Sequence, residues 1–322
     1  MDYGAIAAEF LRALRGKRSQ TAFSRRLGYK SNVSYLWEHQ RNFPTGAKAL
    51  WAAGRVGIDV REALRGFFRA EPAWFAQFDP ASPEGVSALL KELQGNQRLL
   101  DLAERSGRNR FAIARWMSGR SEPSLSELFM LIECSSLRLV DFLEHFVNPK
   151  EMPSVREKWQ QLQIARDLAY DAPWTQAVLR ALELKSYAEL PKHRLGWIAK
   201  RVGISREEEQ RCLELLLKSG QIVWEKQRWQ LREVITLDTR TNPQKASKLR
   251  AWWAKEAVRR NDEGVRGLMY NLFSISTKDL DKLRELQRAY MNQVRALVAQ
   301  SKPEERVVLA VSALMDLEQE ES

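Results

Sequence analysis

The chain has 322 residues, of which 44% are hydrophobic and 29% charged, the balance of a globular chain of two or three domains rather than of a disordered or fibrous one. No apolar run approaches the ~18 residues of a transmembrane helix, and the opening MDYGAIAAEF carries Asp2 and Glu9 without a basic-then-apolar leader, so a cytoplasmic location is expected. The net charge of +11 favours a polyanionic partner and is spread unevenly: +6 over residues 1–80, 0 over 81–150 and +5 over 151–322.

Residues 1–65 read as five short helices. The first spans about 5–14. Ser19 caps a second over 20–27 that stops at Gly28, a residue suited to the left-handed end of a helix. A third follows over about 31–39, a fourth starts after Pro44-Thr45, and a fifth follows Ile58-Asp59. Residues 85–147 repeat this plan at an offset of 79 residues without a gap: Arg26 aligns with Arg105, Gly28 with Gly107, Trp37 with Trp116, Arg41 with Arg120, Pro44 with Pro123 and Leu64 with Leu143. The stretch between the copies, GFFRAEPAWFAQFDPAS, is too aromatic for a free linker and is expected to pack. Asn148-Pro149 and Met152-Pro153 mark the next boundary, and a helix is expected over 155–168. Residues 173–231 read helix, helix, helix, hairpin, the order of a winged helix, with Ile222–Trp224 and Trp229–Leu231 as the hairpin strands. Beyond lie a helix over 243–262 bearing Trp252-Trp253, a strand over 267–276 and a long helix over 278–300 that Ser276 and Asp279 can cap. The segment 306–315 reads as a second strand or a buried helix. The expected fold is mainly α: two five-helix units (1–66 and 85–148) joined by a packed linker (67–84), a winged helix (154–234) and a small α/β region (243–322).

The repeated half resembles the repressor-type (XRE/Cro) helix-turn-helix family. Ser19-Gln20, Gly28, Glu38, Arg41 and Pro44 match in the first copy; Ala103, Gly107, Ile113, Gly119-Arg120 and Pro123 match in the second. Ser34, Gln40, Leu99 and Met117 depart from the pattern. The resemblance implies a fold in which the third helix of each copy enters the DNA major groove. A reader of base edges needs short polar or basic side chains at the start of that helix and an apolar back that locks it. In the first copy Val33 and Trp37 are expected to lock, while Lys30, Ser31, Asn32 and Tyr35 face outward. In the second, Ile113 and Trp116 lock, while Arg108, Asn109, Arg110 and Arg115 face outward. Arginine is the best bidentate partner of guanine, and asparagine pairs with adenine. Gln20, Arg25, Arg26 and Arg41 are placed like phosphate contacts, with Arg120 the equivalent of Arg41.

Residues 201–222 and 272–287 resemble the C-terminal region of a bacterial group of regulators that join a helix-turn-helix to a domain of unknown function. The winged helix itself is an unpromising DNA reader. Its third helix begins Arg206-Glu207-Glu208-Glu209, and carboxylates that suit a helix N-terminus repel phosphate; a structural or subunit-contact role is expected. Of the 11 tryptophans, Trp37, Trp116 and Trp197 fall on expected buried faces, Trp224 and Trp229 can pair across the hairpin, and one of Trp252 and Trp253 is expected to mark an interface or ligand pocket. Cys134 and Cys212 fall inside amphipathic helices and read as small buried residues. The three histidines lack metal-ligand spacing, and no phosphate loop, CxxC pair or nucleophile elbow occurs, so neither an enzyme nor a cofactor is expected.

The reading is a bacterial transcription regulator that binds double-stranded DNA, expected to be a homodimer, with a C-terminal half that dimerises or senses a small-molecule or protein effector. Leu280, Leu283, Leu286, Tyr290, Val294 and Leu297 form a helical row suited to a core or a dimer face, the core being favoured. The rival is a protein-interaction adaptor that uses the helix-turn-helix units as scaffold.

Overall fold

Asp2 accepts hydrogen bonds from the N–H groups of Gly4 and Ala5 at 3.0 Å and starts α1 (Tyr3–Arg15). Ser19, Asn32, Thr45 and Asp59 cap the four helices that follow, α2 (Gln20–Arg26), α3 (Val33–Glu38), α4 (Gly46–Arg55) and α5 (Val60–Phe68), each side chain accepting from a backbone N–H of the first turn. These elements belong to a computed structural model that describes residues 1–69, 71–95, 97–232 and 237–318. Among the described residues the chain is mainly helical, with one two-stranded sheet, and divides into two compact units, Met1–Gln163 and Ile164–Ser322.

In the first unit the plan repeats after a short 3₁₀ turn, Ala73–Ala76, that buries Phe75: α6 (Pro83–Gln94), α7 (Leu99–Ser106), α8 (Arg110–Met117), α9 (Leu125–Ser136) and α10 (Leu139–Glu144). Ser124 and Glu127 close a reciprocal capping box at α9. The expected helix over 155–168 is α11 (Pro153–Asp171), longer by five residues in all and crossing the boundary between the units.

The two copies meet through equivalent residues. Thr45 and Ser124, one repeat apart, form an isolated antiparallel bridge, in which Gly46 N–H donates to Pro123 O at 2.9 Å and Leu125 N–H to Pro44 O at 2.8 Å. Each of these bonds is the repeat image of the other. The first helix of each copy packs on the fourth helix of the other, α1 on α9 and α6 on α4. Gly66 abuts its own equivalent, His145: a Cβ at Gly66 would lie 2.7 Å from the His145 ring, so only glycine admits the contact. Two residues that touch their own equivalents lie on a two-fold axis, and the axis of this pair therefore runs through 45/124 and 66/145. The seam is filled by Phe10 edge-on to Phe129 (5.3 Å), Phe67 edge-on to Phe142 (5.5 Å), and Phe146. All five rings are buried.

The second unit holds α12 (Trp174–Leu182), α13 (Lys185–Ala188), α14 (Trp197–Val202), α15 (Arg206–Lys218) and the hairpin β1 (Ile222–Glu225) and β2 (Arg228–Leu231). The hairpin register pairs Trp224 with Trp229 and Glu225 with Arg228. Lys226 and Gln227 both take positive φ, as a tight two-residue turn requires. Val178, Ile198, Cys212, Leu213, Leu216 and Ile222 form the core. α16 (Pro243–Asp262) places Trp252 and Trp253 edge-on against Trp174 at 5.1 and 5.6 Å. The Trp pair is thus an internal aromatic cluster of this unit, with both rings half-buried.

The C-terminal region departs from expectation. α17 (Thr277–Gln300) forms with Ser276 as its cap, but residues 267–276 and 306–315 are neither strand nor helix. The expected α/β region holds, among the described residues, two helices and no strand. An alternating apolar pattern makes a strand only where a partner completes the hydrogen-bond ladder, and the described ladder is confined to β1 and β2. The favoured core role of the α17 row is also corrected: Leu286, Tyr290 and Leu297 are 64%, 54% and 72% exposed, while Leu280, Leu283 and Val294 are half-buried. Helical spacing identifies an apolar stripe, not what covers it.

Candidate nucleic-acid interface

In the first copy Gly28, at φ +76°, turns the chain from α2 into the segment that leads to α3. Trp37 is buried beneath Tyr29, whose ring stands edge-on at 5.7 Å. The lock differs in part from the expected one, because Val33 is half-buried and the inward residues of α3 are Ser34, Trp37 and Glu38. Glu38 accepts from Arg15 Nε at 2.6 Å, Arg15 Nη2 at 3.1 Å, Gln20 Nε2 at 3.1 Å and Ser34 Oγ at 2.8 Å. Burial pushes the Glu38 pKa up, but the hydrogen bonds from Arg15, Gln20 and Ser34 win and hold it below its ordinary 4.5. Ser34, which departs from the family pattern, is the hydroxyl that this carboxylate needs.

Lys30, Ser31, Asn32 and Tyr35 are exposed at the start of α3, as is Arg25 on α2. Asn32 Oδ1 accepts from the N–H of Tyr35, so this amide caps the helix. The Tyr35 ring is flanked by His39, centroids 4.2 Å apart, and by the Arg41 guanidinium at 5.5 Å. Two of the residues placed as phosphate contacts have internal partners: Gln20 donates to Glu38, and Arg26 Nε donates to Arg55 O at 2.9 Å.

In the second copy Gly107, at φ +64°, makes the same turn, and Asn109 caps α8 by accepting from Phe111 N–H at 2.8 Å. Ile113 and Trp116 point inward as expected, joined by Met117. Met117 stands where the first copy has Glu38, Ile113 where it has Ser34, and Leu99 where it has Gln20. An apolar contact thus replaces the buried ionic one at the same point of the repeat. Arg108, Asn109, Arg110, Arg115 and Arg120 are exposed. Arg108 lies 3.8 Å from Glu127, and the Arg110 guanidinium covers the Phe111 ring at 4.8 Å. Phe111 is 64% exposed. Asn109, Phe111, Ala112, Ala114, Arg115, Ser118 and Arg120 line an open depression along the outer face of α8.

All thirteen residues singled out from the sequence lie in the first unit, on or beside the second and third helices of the two copies. Sequence reasoning missed Phe111, His39 and the burial of Glu38. Phe111 sits at the outward position equivalent to Asn32, which the repeat alignment could have flagged; His39 lies four residues after Tyr35, one helical turn on.

In the second unit the Glu-rich start of α15 is only partly a surface feature. Glu209 is fully buried and accepts from Gly196 N–H at 3.0 Å and Ala199 N–H at 2.7 Å, capping the start of α14. Burial raises its pKa despite these bonds, and burial lowers that of neighbouring His193, whose Nε2 lies 3.8 Å from Glu209 Oε1. Cys134 and Cys212 are both buried, as expected. Among the described residues no helix is long and apolar enough to cross a membrane, and no group of three or more His, Cys, Asp or Glu side chains could hold a metal ion.

No curated protein and no solved structure matches the chain. A family model does: residues 154–314, half of the chain, match the domain of unknown function DUF4423. The matched stretch takes in most of α11, α12 to α15, the hairpin, α16 and α17, and the chain belongs to the DUF4423 family.

Proposed function

We propose that the chain is a sequence-specific transcription regulator that binds double-stranded DNA through two tandem helix-turn-helix units of repressor type. A winged helix and a C-terminal sensing or self-associating half follow them. The observation that carries the reading is the pair α3 and α8. Each is a short helix locked from behind by a buried tryptophan, each follows a glycine turn, and each presents exposed cationic and aromatic side chains at its tip or outer face. Arg110 and Arg115 suit guanine edges, and Phe111 and Tyr35 offer apolar contact to thymine methyl groups. Arg25 and Arg41 supply phosphate contacts in the first copy and Arg120 in the second, while Lys30 at the start of α3 suits a guanine edge. The buried Glu209 and the exposed Glu207 beside it support a structural or subunit-contact role for the winged helix.

The test is binding of the full chain to mixed-sequence duplex across a salt series. A DNA binder weakens steeply, because each phosphate neutralised releases condensed counterions and log K falls with a slope of about −0.9 per contact. A flat response near background refutes the proposal. It would favour the adaptor reading, for which the exposed row Leu286, Tyr290 and Leu297 on α17 is the supporting observation.

A further inference from the structure

From the exchanged contacts between the copies we infer that a single chain reads both halves of its operator, and that the operator is therefore an inverted pair of unlike half-sites rather than a palindrome. This rests on the proposal that α3 and α8 enter the major groove.

The bridge between Thr45 and Ser124, with its two mirrored hydrogen bonds, and the contact of Gly66 with His145 define an approximate two-fold axis inside one chain. Residues 39–44 connect the end of α3 to Thr45 on that axis, and residues 118–123 connect the end of α8 to Ser124. Six residues span at most about 20 Å. The C-terminal ends of both helices are therefore held within about 20 Å of the same point of the axis, the Thr45–Ser124 bridge, through connections that carry the cations Arg41 and Arg120. Symmetric pairs of subunits lay helices related by a two-fold axis into successive major-groove faces about one helical turn apart, and an axis between α3 and α8 suits the same use. Here one polypeptide supplies both, through a seam of buried rings and exchanged helices that has the character of a core.

The two outward faces are chemically different. Lys30 aligns with Asn109, Ser31 with Arg110, Asn32 with Phe111, Tyr35 with Ala114 and Leu36 with Arg115. One half presents Lys30, Ser31 and a Tyr35 ring flanked by His39 and Arg41; the other presents Arg110, Arg115 and exposed Phe111. A two-fold frame with unlike tips selects an inverted pair of unlike half-sites, with guanine and thymine specified in the half under α8.

The experiment selects bound duplexes from a pool with a randomised core of about 20 base pairs, two half-sites one turn apart, using the full chain. It repeats the selection with Lys30→Ala/Tyr35→Ala and with Arg110→Ala/Arg115→Ala, all exposed positions whose loss leaves the core intact. The expected result is one non-palindromic motif. The first variant should lose information in one half only and the second in the other half only, each by about tenfold or more in competition against the parent site. A palindromic motif, or a motif whose two halves both survive the first variant, overturns the one-chain reading while leaving DNA binding in place. Failure to enrich any sequence, with no salt-dependent binding, overturns the DNA-reader proposal and this inference with it.

Discussion

Glu38 tests the account of how the first copy holds its outward helix. Its side chain is 3% exposed and is bonded to Arg15, Gln20 and Ser34, with Arg12 Nε a further 3.5 Å away. Glu38→Ala strips the partner from a guanidinium that is itself only 18% exposed. Removing one member of a buried ion pair costs about 3–5 kcal/mol. Arg15 keeps the carbonyls of Gly16 and Arg18, so the lower end applies, about 3 kcal/mol or roughly a hundredfold in the local opening equilibrium. Amide hydrogen exchange of the full chain reads this directly: protection in α2 and α3 should fall by that factor while α7 and α8 serve as the internal control.

The second copy supplies the complementary experiment. Grafting its residues, Arg15→Gln, Gln20→Leu, Ser34→Ile and Glu38→Met together, replaces the buried charges by the apolar set that fills the same place around Trp116. Such replacements are often neutral or stabilising, so the graft should restore most of the protection that Glu38→Ala removes. The pH dependence follows from the depressed pKa of Glu38. A carboxylate held below its unfolded value contributes stability above that value and loses it as pH falls through the folded one. Protection in α2 and α3 should therefore be level from about pH 7 to about pH 5 and fall below the ordinary 4.5, and the graft should lack this step. The reasoning is refuted if Glu38→Ala leaves α2 and α3 as protected as before, or if the graft is as damaging as the single change.

Three other outcomes are expected. Arg110→Ala and Arg115→Ala should each reduce discrimination between specific and random duplex by roughly 1–3 kcal/mol while leaving thermal stability unchanged, read by competition binding and melting. Gly28→Ala and Gly107→Ala should each cost about 1 kcal/mol through backbone strain alone, since both glycines have positive φ and nothing within 4 Å of a built Cβ; denaturant titration measures it. Glu209→Ala should destabilise the second unit by about 2–4 kcal/mol, because the N–H groups of Gly196 and Ala199 lose their buried acceptor. Since burial raises the Glu209 pKa, the stability linked to its protonation is greatest below its ordinary 4.5 and is lost as pH rises through the folded value, a slope that Glu209→Gln should abolish.

Much of the first unit was legible in the sequence because its signals are local. Capping residues at Ser19, Thr45 and Asp59, glycines at 28 and 107, and inward Trp37 and Trp116 each act within a few residues of the chain, and the repeat states them twice. What escaped depends on residues distant in sequence. Glu38 reads as a surface charge until Arg15, 23 residues away, is brought against it. The axis contacts join residues one full repeat apart, and no local pattern announces them. The strand expected over 267–276 failed for the same reason: alternation describes one face of a ladder but does not provide the partner. Phe111 escaped because a helix-facing pattern that assigns apolar residues inward hides an aromatic ring that faces out.

The divergence between the copies follows the division of labour that a paired frame imposes. At the axis the two copies must fit each other, so the backbone exchange at 44–46 and 123–125 is mirrored bond for bond. Behind the third helix only a filled, satisfied lock is needed, and the copies meet that need by opposite chemistry, a saturated carboxylate in one and Met117 with Ile113 in the other. At the outer face neither constraint applies. There the side chains differ most, and there arginine, lysine and exposed aromatic rings gather on both copies. Under the proposed reading these cations on both copies face a duplex, whose backbone is negatively charged on both sides of its own dyad.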